Sequence, residues 1–416
     1  MGTVGNWVET KLSPPLLRLG NQRHVLALRG GLIRIIPLLI IGSIPLILAN
    51  LPVESWANAM APYEAALMTL FSMSFGFLSL YLSISVAAEL ARGYKLEVTS
   101  VSIISAACYL ITVAPIDLET GTLSTQHFGA TGMFAAFLVG IIVVEVMRFM
   151  RDRKLMIRMP AGVPDNISAS FSSLIPLLVL FVFFWLLRVV LNFDLAEAIS
   201  FIVSPLLILA DTWYAVLVTS LLLTMLWFVG IHGGSLTVQG AMYAFLFSNI
   251  AANAAAHQAG MPLPHIFTEP FVFTYGMPSG VGITLPLILI WWRSRSVKLR
   301  EISRVSLAPG IFNINEPINF GAPIILNPLM FLPFVFGTTT LGMMYGYIIT
   351  KIGWVTAPFI QVPWTTPPLI QPYLATGGDW RAVVAQLILF VVVGLIWFPF
   401  AKIWEQRCIA EEQESA

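Results

Sequence analysis

The chain has 416 residues, 57% of them hydrophobic and only 10% charged, against roughly 25% charged in soluble domains. Several apolar runs reach the ~20 residues needed to cross a ~30 Å hydrocarbon core, so the composition is that of an all-α polytopic membrane protein. The net charge of +1 argues against a nucleic-acid partner, and two cysteines, Cys108 and Cys408, make neither a disulfide framework nor a metal site.

Residues 1–29 carry Lys11, Arg18, Arg23 and Arg29 and no continuous apolar core, so no cleavable leader is read there. Trp7, Val8, Leu12, Leu16, Leu17 and Leu19 suit an interfacial helix, against which Pro14 and Pro15 weigh. Ten crossings follow, at about 30–50, 65–91, 98–115, 128–149, 171–192, 212–231, 236–254, 280–292, 327–350 and 382–404. With a cytoplasmic N-terminus, 19 of the 22 Lys and Arg fall at cytoplasmic ends, and only Arg188, Lys351 and Arg381 fall outside. By the positive-inside rule both termini are cytoplasmic.

Three segments are not simple spans. Residues 194–211 are amphipathic, contain Pro205, and suit a helix lying along the membrane surface. Residues 255–279 and 305–326 are apolar but interrupted by Pro and Gly, as re-entrant hairpins are. Each holds a Glu-Pro pair, T-E-P-F at Thr268–Phe271 and N-E-P-I at Asn315–Ile318. Paired broken segments point to a transporter binding site, because non-helical backbone at membrane depth must line a cavity or be buried in protein. The expected division is a cytoplasmic or interfacial segment 1–29, a scaffold half 30–211, a substrate-binding transport half 212–404 and a cytoplasmic tail 405–416.

Glu316 is the only side chain charged at neutral pH between Val305 and Thr350. An intramembrane carboxylate reads as a ligand contact or proton acceptor, with a buried acid capping loose backbone as the plainer alternative. Burial would raise its pKa and bring a general-base role within reach. Asn313, Asn315 and Asn319 add amide groups suited to hydroxyls. His232, in F-V-G-I-H-G-G (Phe228–Gly234), stands at the junction of two spans. Its neighbour Gly233 allows close backbone approach to a ligand, and an imidazole beside a carboxylate is a common partner for a sugar hydroxyl. The plainer alternative is a helix-end histidine. Trp364, in V-P-W-T-T-P-P, offers either an aromatic face for a sugar ring or a member of the interfacial belt. Glu269 is a second pocket acid or a turn residue, and His257 and His265 are weaker candidates. Neither G-x-x-x-x-G-K-[ST] nor H-E-x-x-H occurs, which leaves ATP-driven transport and zinc proteolysis unsupported.

Four stretches carry a family resemblance: Q-R-H-V-L-A-L-R-G-G (Gln22–Gly31), M-P-A-G-V-P-D-N-I-S-A-S-F (Met159–Phe171), W-F-V-G-I-H-G (Trp227–Gly233) and N-E-P-I-N-F-G (Asn315–Gly321). The chain resembles the membrane permease, enzyme IIC, of bacterial phosphotransferase sugar systems, in the lactose/cellobiose/N,N′-diacetylchitobiose group. The resemblance implies a homodimer in the bacterial inner membrane, with ten transmembrane helices and two re-entrant hairpins per subunit. It places the sugar site in the C-terminal half. The family histidine falls on His232, the glutamate on Glu316 and the loop tryptophan on Trp364. The implied substrate is a disaccharide whose 6-hydroxyl receives a phosphoryl group from the phosphocysteine of a cytoplasmic IIB protein, with IIA upstream. Cys108 and Cys408 lack the loop context of that phosphocysteine, so IIA and IIB are expected as other chains, and no cofactor is implied. M-P-S-G-V-G-I-T (Met277–Thr284) departs from the more glycine-rich G-G-x-G-A-T pattern. The residues alone leave a second function open, a proton-coupled secondary sugar transporter using Glu316.

Overall fold

The computed structural model describes residues 22–49, 54–114, 121–157, 159–160, 171–322 and 324–414. The interfacial helix expected near residues 7–19, and most of the Met159–Phe171 motif, lie outside the described residues. Among the described residues the regular structure is helical, and two compact units are distinguished.

One unit holds residues 21–45 and 65–208. Its helices are the first part of α1 (Arg23–Ala49), α2 (Glu64–Ser74), α3 (Leu78–Tyr94), α4 (Val98–Val113), α5 (Met133–Asp152), α6 (Leu174–Trp185) and α7 (Leu195–Ala210). Small residues let α3, α4 and α5 approach closely, as helices do in lipid, where apolar burial does not distinguish a neighbour from the solvent. Ser105 Oγ donates to the Ser83 carbonyl at 2.8 Å, and a Cβ on Gly140 would lie 3.3 Å from that same oxygen. The charged residues at the span ends are paired: Arg92 with Glu89 at 2.5 Å and Arg148 with Glu145 at 2.8 Å. After α6 a π-turn, Leu186–Val190, leads to an 83° bend into α7. Arg188 and Asp194 meet across that bend at 3.0 Å. Residues 194–211 thus form the expected separate helix, turned steeply from the preceding span.

The other unit holds residues 46–64 and 209–416. Its helices include α8 (Trp213–Phe228), α9 (Gly233–Leu236), α10 (Tyr243–Gln258), α11 (Leu285–Trp291), α12 (Val297–Ile311), α13 (Glu316–Gly321), α14 (Thr339–Lys351), α15 (Ile370–Ala375) and α16 (Trp380–Glu414), with shorter pieces at Glu54–Met60 and Phe331–Phe336. Helix α8 packs on α14, and α11 packs on α16. The long α16 binds both broken segments through indole N–H groups. Trp397 donates to the Gly282 carbonyl at 3.1 Å and Trp404 to the Ala322 carbonyl at 3.1 Å. Its last turns also cap α12. Glu405 accepts from Ser294 Oγ at 2.6 Å and from the Arg295 N–H at 2.9 Å. Glu412 accepts from Ser296 Oγ at 2.7 Å and from the Lys298 N–H at 2.9 Å. Carboxylates at a helix N-terminus satisfy donors that have no partner within the helix.

Each of the ten expected spans contains a helix, but not equally. Among the described residues five helical stretches are long and apolar enough to cross a bilayer, or six if the bent pair α6–α7 counts as one span. Helices α4 and α8 have 16 residues each, about 24 Å of rise. The span expected at 280–292 is helical only over seven residues, because its first part is taken up by the turns of the first broken segment. Residues 405–414 continue α16 rather than forming a separate tail.

Candidate functional site

The two broken segments meet through turns that few residues accept. In the first, a single helical turn at Glu269–Phe271, capped by Thr268, runs into a π-turn at Val272–Gly276. The chain then passes through positive φ at Ser279 (65°), Gly280 (86°), Gly282 (93°) and Ile283 (45°). Ser279 stands where the related pattern has glycine, and its hydroxyl holds the turn by accepting the Leu285 N–H at 2.8 Å. Gly280 has no substitute, since a Cβ there would lie 2.3 Å from the Asn315 amide carbon. In the second segment, α12 ends at Ile311 and the backbone turns at Asn313, with φ 64°. Asn315 then precedes α13, whose first residues are Glu316 and Pro317; proline is tolerated there because its missing N–H would have no helical partner.

A cavity of about 440 Å³ opens between these turns and the α8–α9 junction. His232, Glu316 and Trp364 all line it, with Trp227, Ser235, Gln239, Phe273, Met277 and Gly280 among the other wall residues. Its size and mixed apolar and polar wall suit a small organic ligand. His232 is the N-cap of α9, and its Nδ1 accepts the Ser235 N–H at 3.1 Å. A backbone N–H only donates, so in the neutral ring Nδ1 carries no proton and Nε2 carries it. The imidazole lies 4.7 Å from the Trp227 ring, centroid to centroid. Glu316 is half-buried, and no described residue forms an ion pair with it. Trp364 is 40% exposed and meets Phe273 at 6.1 Å between ring centroids.

Asn313 and Asn315 also reach the wall, while Gly233, Asn319, Glu269, His257 and His265 lie off it. Gly233 packs on the backbone of α8, where a Cβ would lie 2.3 Å from the Leu223 carbonyl oxygen. Asn319 is fully buried beneath the turn, and its amide nitrogen is 3.5 Å from the Val281 carbonyl. Glu269 is buried and accepts from Gln361 Nε2 at 2.8 Å. His257 stacks on Phe359, and His265 pairs with Asp211 at 3.3 Å. Sequence reasoning missed Trp227, Ser235, Gln239, Phe273 and Met277 as wall residues. Trp227 had a visible signal, since it opens the same motif as His232. The others look like ordinary packing residues until the segments are brought together. No group of three or more His, Cys, Asp or Glu side chains that would hold a metal occurs among the described residues.

Comparison with known proteins agrees with this architecture. Residues 29–338 match the family described as phosphotransferase system, EIIC. The lichenan permease IIC component of Bacillus subtilis (strain 168) is 34% identical over 100% of this chain and 96% of its own length. The cellobiose-specific EIIC component of Geobacillus stearothermophilus is 34% identical over 98% of this chain and 95% of its own. The crystal structure of ChbC, the IIC component of the N,N′-diacetylchitobiose-specific phosphotransferase system, superposes with a TM-score of 0.90 at 32% identity, covering 98% of this chain and 99% of that one. The paired turns, the cavity between them and these matches lead to one conclusion: the chain belongs to the EIIC family of the phosphotransferase system and is a multi-pass membrane permease.

Proposed function

We propose that the cavity binds a disaccharide of the cellobiose or diacetylchitobiose type and presents its 6-hydroxyl to a phosphorylated IIB protein. The observation that carries this reading is that His232, Glu316 and Trp364, from three separate segments, line one cavity. Trp364 supplies an aromatic face for a sugar ring. The His232 Nε2–H donates to the hydroxyl oxygen, and the Glu316 carboxylate accepts the hydroxyl proton. As the proton leaves, the oxygen attacks phosphorus in line, the O–P bond forms, the S–P bond of the IIB phosphocysteine breaks, and the thiolate departs. The added charge retains the product in the cytoplasm. A proton-coupled transporter would use Glu316 differently, and family membership weighs against it.

Three further features belong to this reading. Residues 212–404 carry transport, while 30–211 provide the scaffold and the interface of a homodimer. Both termini face the cytoplasm of a bacterial cell, on the side of 19 of the 22 basic residues. IIA and IIB act as separate proteins, IIA charging IIB.

The test is sugar-phosphate formation in proteoliposomes supplied with phosphorylated IIB. Glu316→Gln is expected to lower turnover by roughly 10²-fold or more, the usual contribution of a general base, while cellobiose still binds. Wild-type turnover in Glu316→Gln would remove the base role. Sugar uptake that follows a proton gradient without phospho-IIB would overturn the function itself.

A further inference from the structure

We propose that Asn313 is a positioning residue, a three-way strut that sets Trp364 over the sugar cavity. The inference rests on reading Trp364 as a sugar contact and adds the residue through which that contact is placed. Asn313 is 7% exposed, and its amide joins three segments distant in sequence. Its Oδ1 accepts the Ser279 N–H at 2.6 Å, at the tip of the first broken segment. Its Nδ2 donates to the Trp364 carbonyl at 2.5 Å and to the Thr366 carbonyl at 3.1 Å. An amide nitrogen has two N–H groups, and both are used. Asn313 also lines the cavity, but it has no hydrogen left to donate to a sugar, and what its three bonds supply is position.

The loop around Trp364 needs such a strut. It reads P-W-T-T-P-P, so Pro363, Pro367 and Pro368 offer no N–H, and the Thr366 N–H closes a local turn onto the Pro363 carbonyl at 2.9 Å. The Trp364 ring is partly exposed and has Phe273 as its aromatic neighbour. Its height over the cavity is set by its backbone, and Asn313 holds the carbonyl of that residue. The backbone of Asn313 suits the task, because φ 64° is a left-handed conformation that asparagine adopts more readily than most residues.

That conformation also supplies a clean test. Asn313→Gly keeps the backbone at ease and deletes the amide. Asn313→Asp keeps the acceptor for Ser279 but turns a carboxylate oxygen toward two carbonyls, and it serves if the glycine variant fails to fold. Binding of cellobiose and of N,N′-diacetylchitobiose is measured by calorimetry for Asn313→Gly, Trp364→Ala and the double variant. Each single change is expected to weaken binding of the bound sugar about 10-fold, and the double variant to be no more than about threefold weaker than Trp364→Ala. With phospho-IIB, KM should rise in Asn313→Gly while kcat at saturating sugar stays within about threefold, since His232 keeps its cap on α9 and Asn315, beside Glu316, keeps its bond to the Val281 carbonyl. Additive losses in the double variant, or a fall in kcat without a change in KM, would overturn the strut. Trp364→Ala at wild-type affinity would instead overturn the reading of Trp364 as a sugar contact, and with it the strut's route to the ligand.

Discussion

At the scale of single residues, His232 is held by one nitrogen, and the proposed sugar contact uses the other. Its Nδ1 caps α9 through the Ser235 N–H and also lies 2.9 Å from Ser235 Oγ. Asparagine is a good N-cap and lacks the second ring nitrogen. His232→Asn is therefore expected to keep the melting temperature near that of the wild type while weakening sugar binding about 10-fold, the value of one buried hydrogen bond. His232→Ala should lose both cap and contact. Calorimetry showing His232→Asn at full affinity would reduce His232 to a helix cap. Glu316 and His232 were legible because ionisable side chains are rare in apolar segments. The roles of Asn313, Asn315 and Asn319 were not, because three asparagines in one stretch are chemically alike until the backbone assigns them places. The turn at Asn313 sends one amide to Trp364, and Asn315 Nδ2 goes to the Val281 carbonyl at 2.6 Å. Asn319 is left underneath.

At the scale of elements, the loop bearing Trp364 is fastened at both ends. Near its start Asp379 accepts from the Thr356 N–H at 2.9 Å and from Thr356 Oγ1 at 3.0 Å, and it pairs with Arg381 at 2.9 Å. Near its end the Leu369 N–H donates to Gln386 Oε1 at 2.5 Å. Burial by itself would raise the Asp379 carboxyl, but hydrogen bonds from Arg381 and Thr356 outweigh it and hold the group below its ordinary value of 3.8. A depressed carboxylate contributes stability above its unfolded pKa and loses it as pH falls through the folded value. Asp379→Asn is thus expected to lower stability at pH 7 by about 1–3 kcal/mol. The difference from wild type should shrink progressively below about pH 4, followed by thermal melts of the detergent-solubilised protein. A gap independent of pH would mean that Asp379 acts by shape alone. The breaks in both segments were legible from Pro and Gly. The shortness of α11 was not, because an apolar run has the same composition whether it continues as helix or folds into left-handed turns. Only Ser279 and Ile283 at positive φ reveal that these residues are spent on the turn.

At the scale of the whole molecule, orientation is open to direct measurement. Cys108 and Cys408 are 0% and 1% exposed, so background labelling by a membrane-impermeant maleimide should be low. Lys154 and Lys351 are both exposed, and the charge distribution places them on opposite faces. Lys154→Cys is expected to react in inside-out vesicles and Lys351→Cys in intact cells. The reverse pattern would invert the assigned orientation. Fold class was legible here because long apolar runs are what a bilayer demands of a spanning helix. The pairing of the two broken segments was not, since it depends on side-chain amides that no periodicity records.

Those amides have a consequence for energetics. Asn313 and Asn315 tie the cavity wall to itself, with Gly280 pressed against Asn315, so the two broken segments hold one shared binding surface. On the proposed function, no ion or nucleotide is coupled to the passage of free sugar, so the free sugar equilibrates and phosphorylation alone makes uptake one-way. The ratio of sugar phosphate inside to sugar outside is then set wholly by the supply of phosphoryl donor.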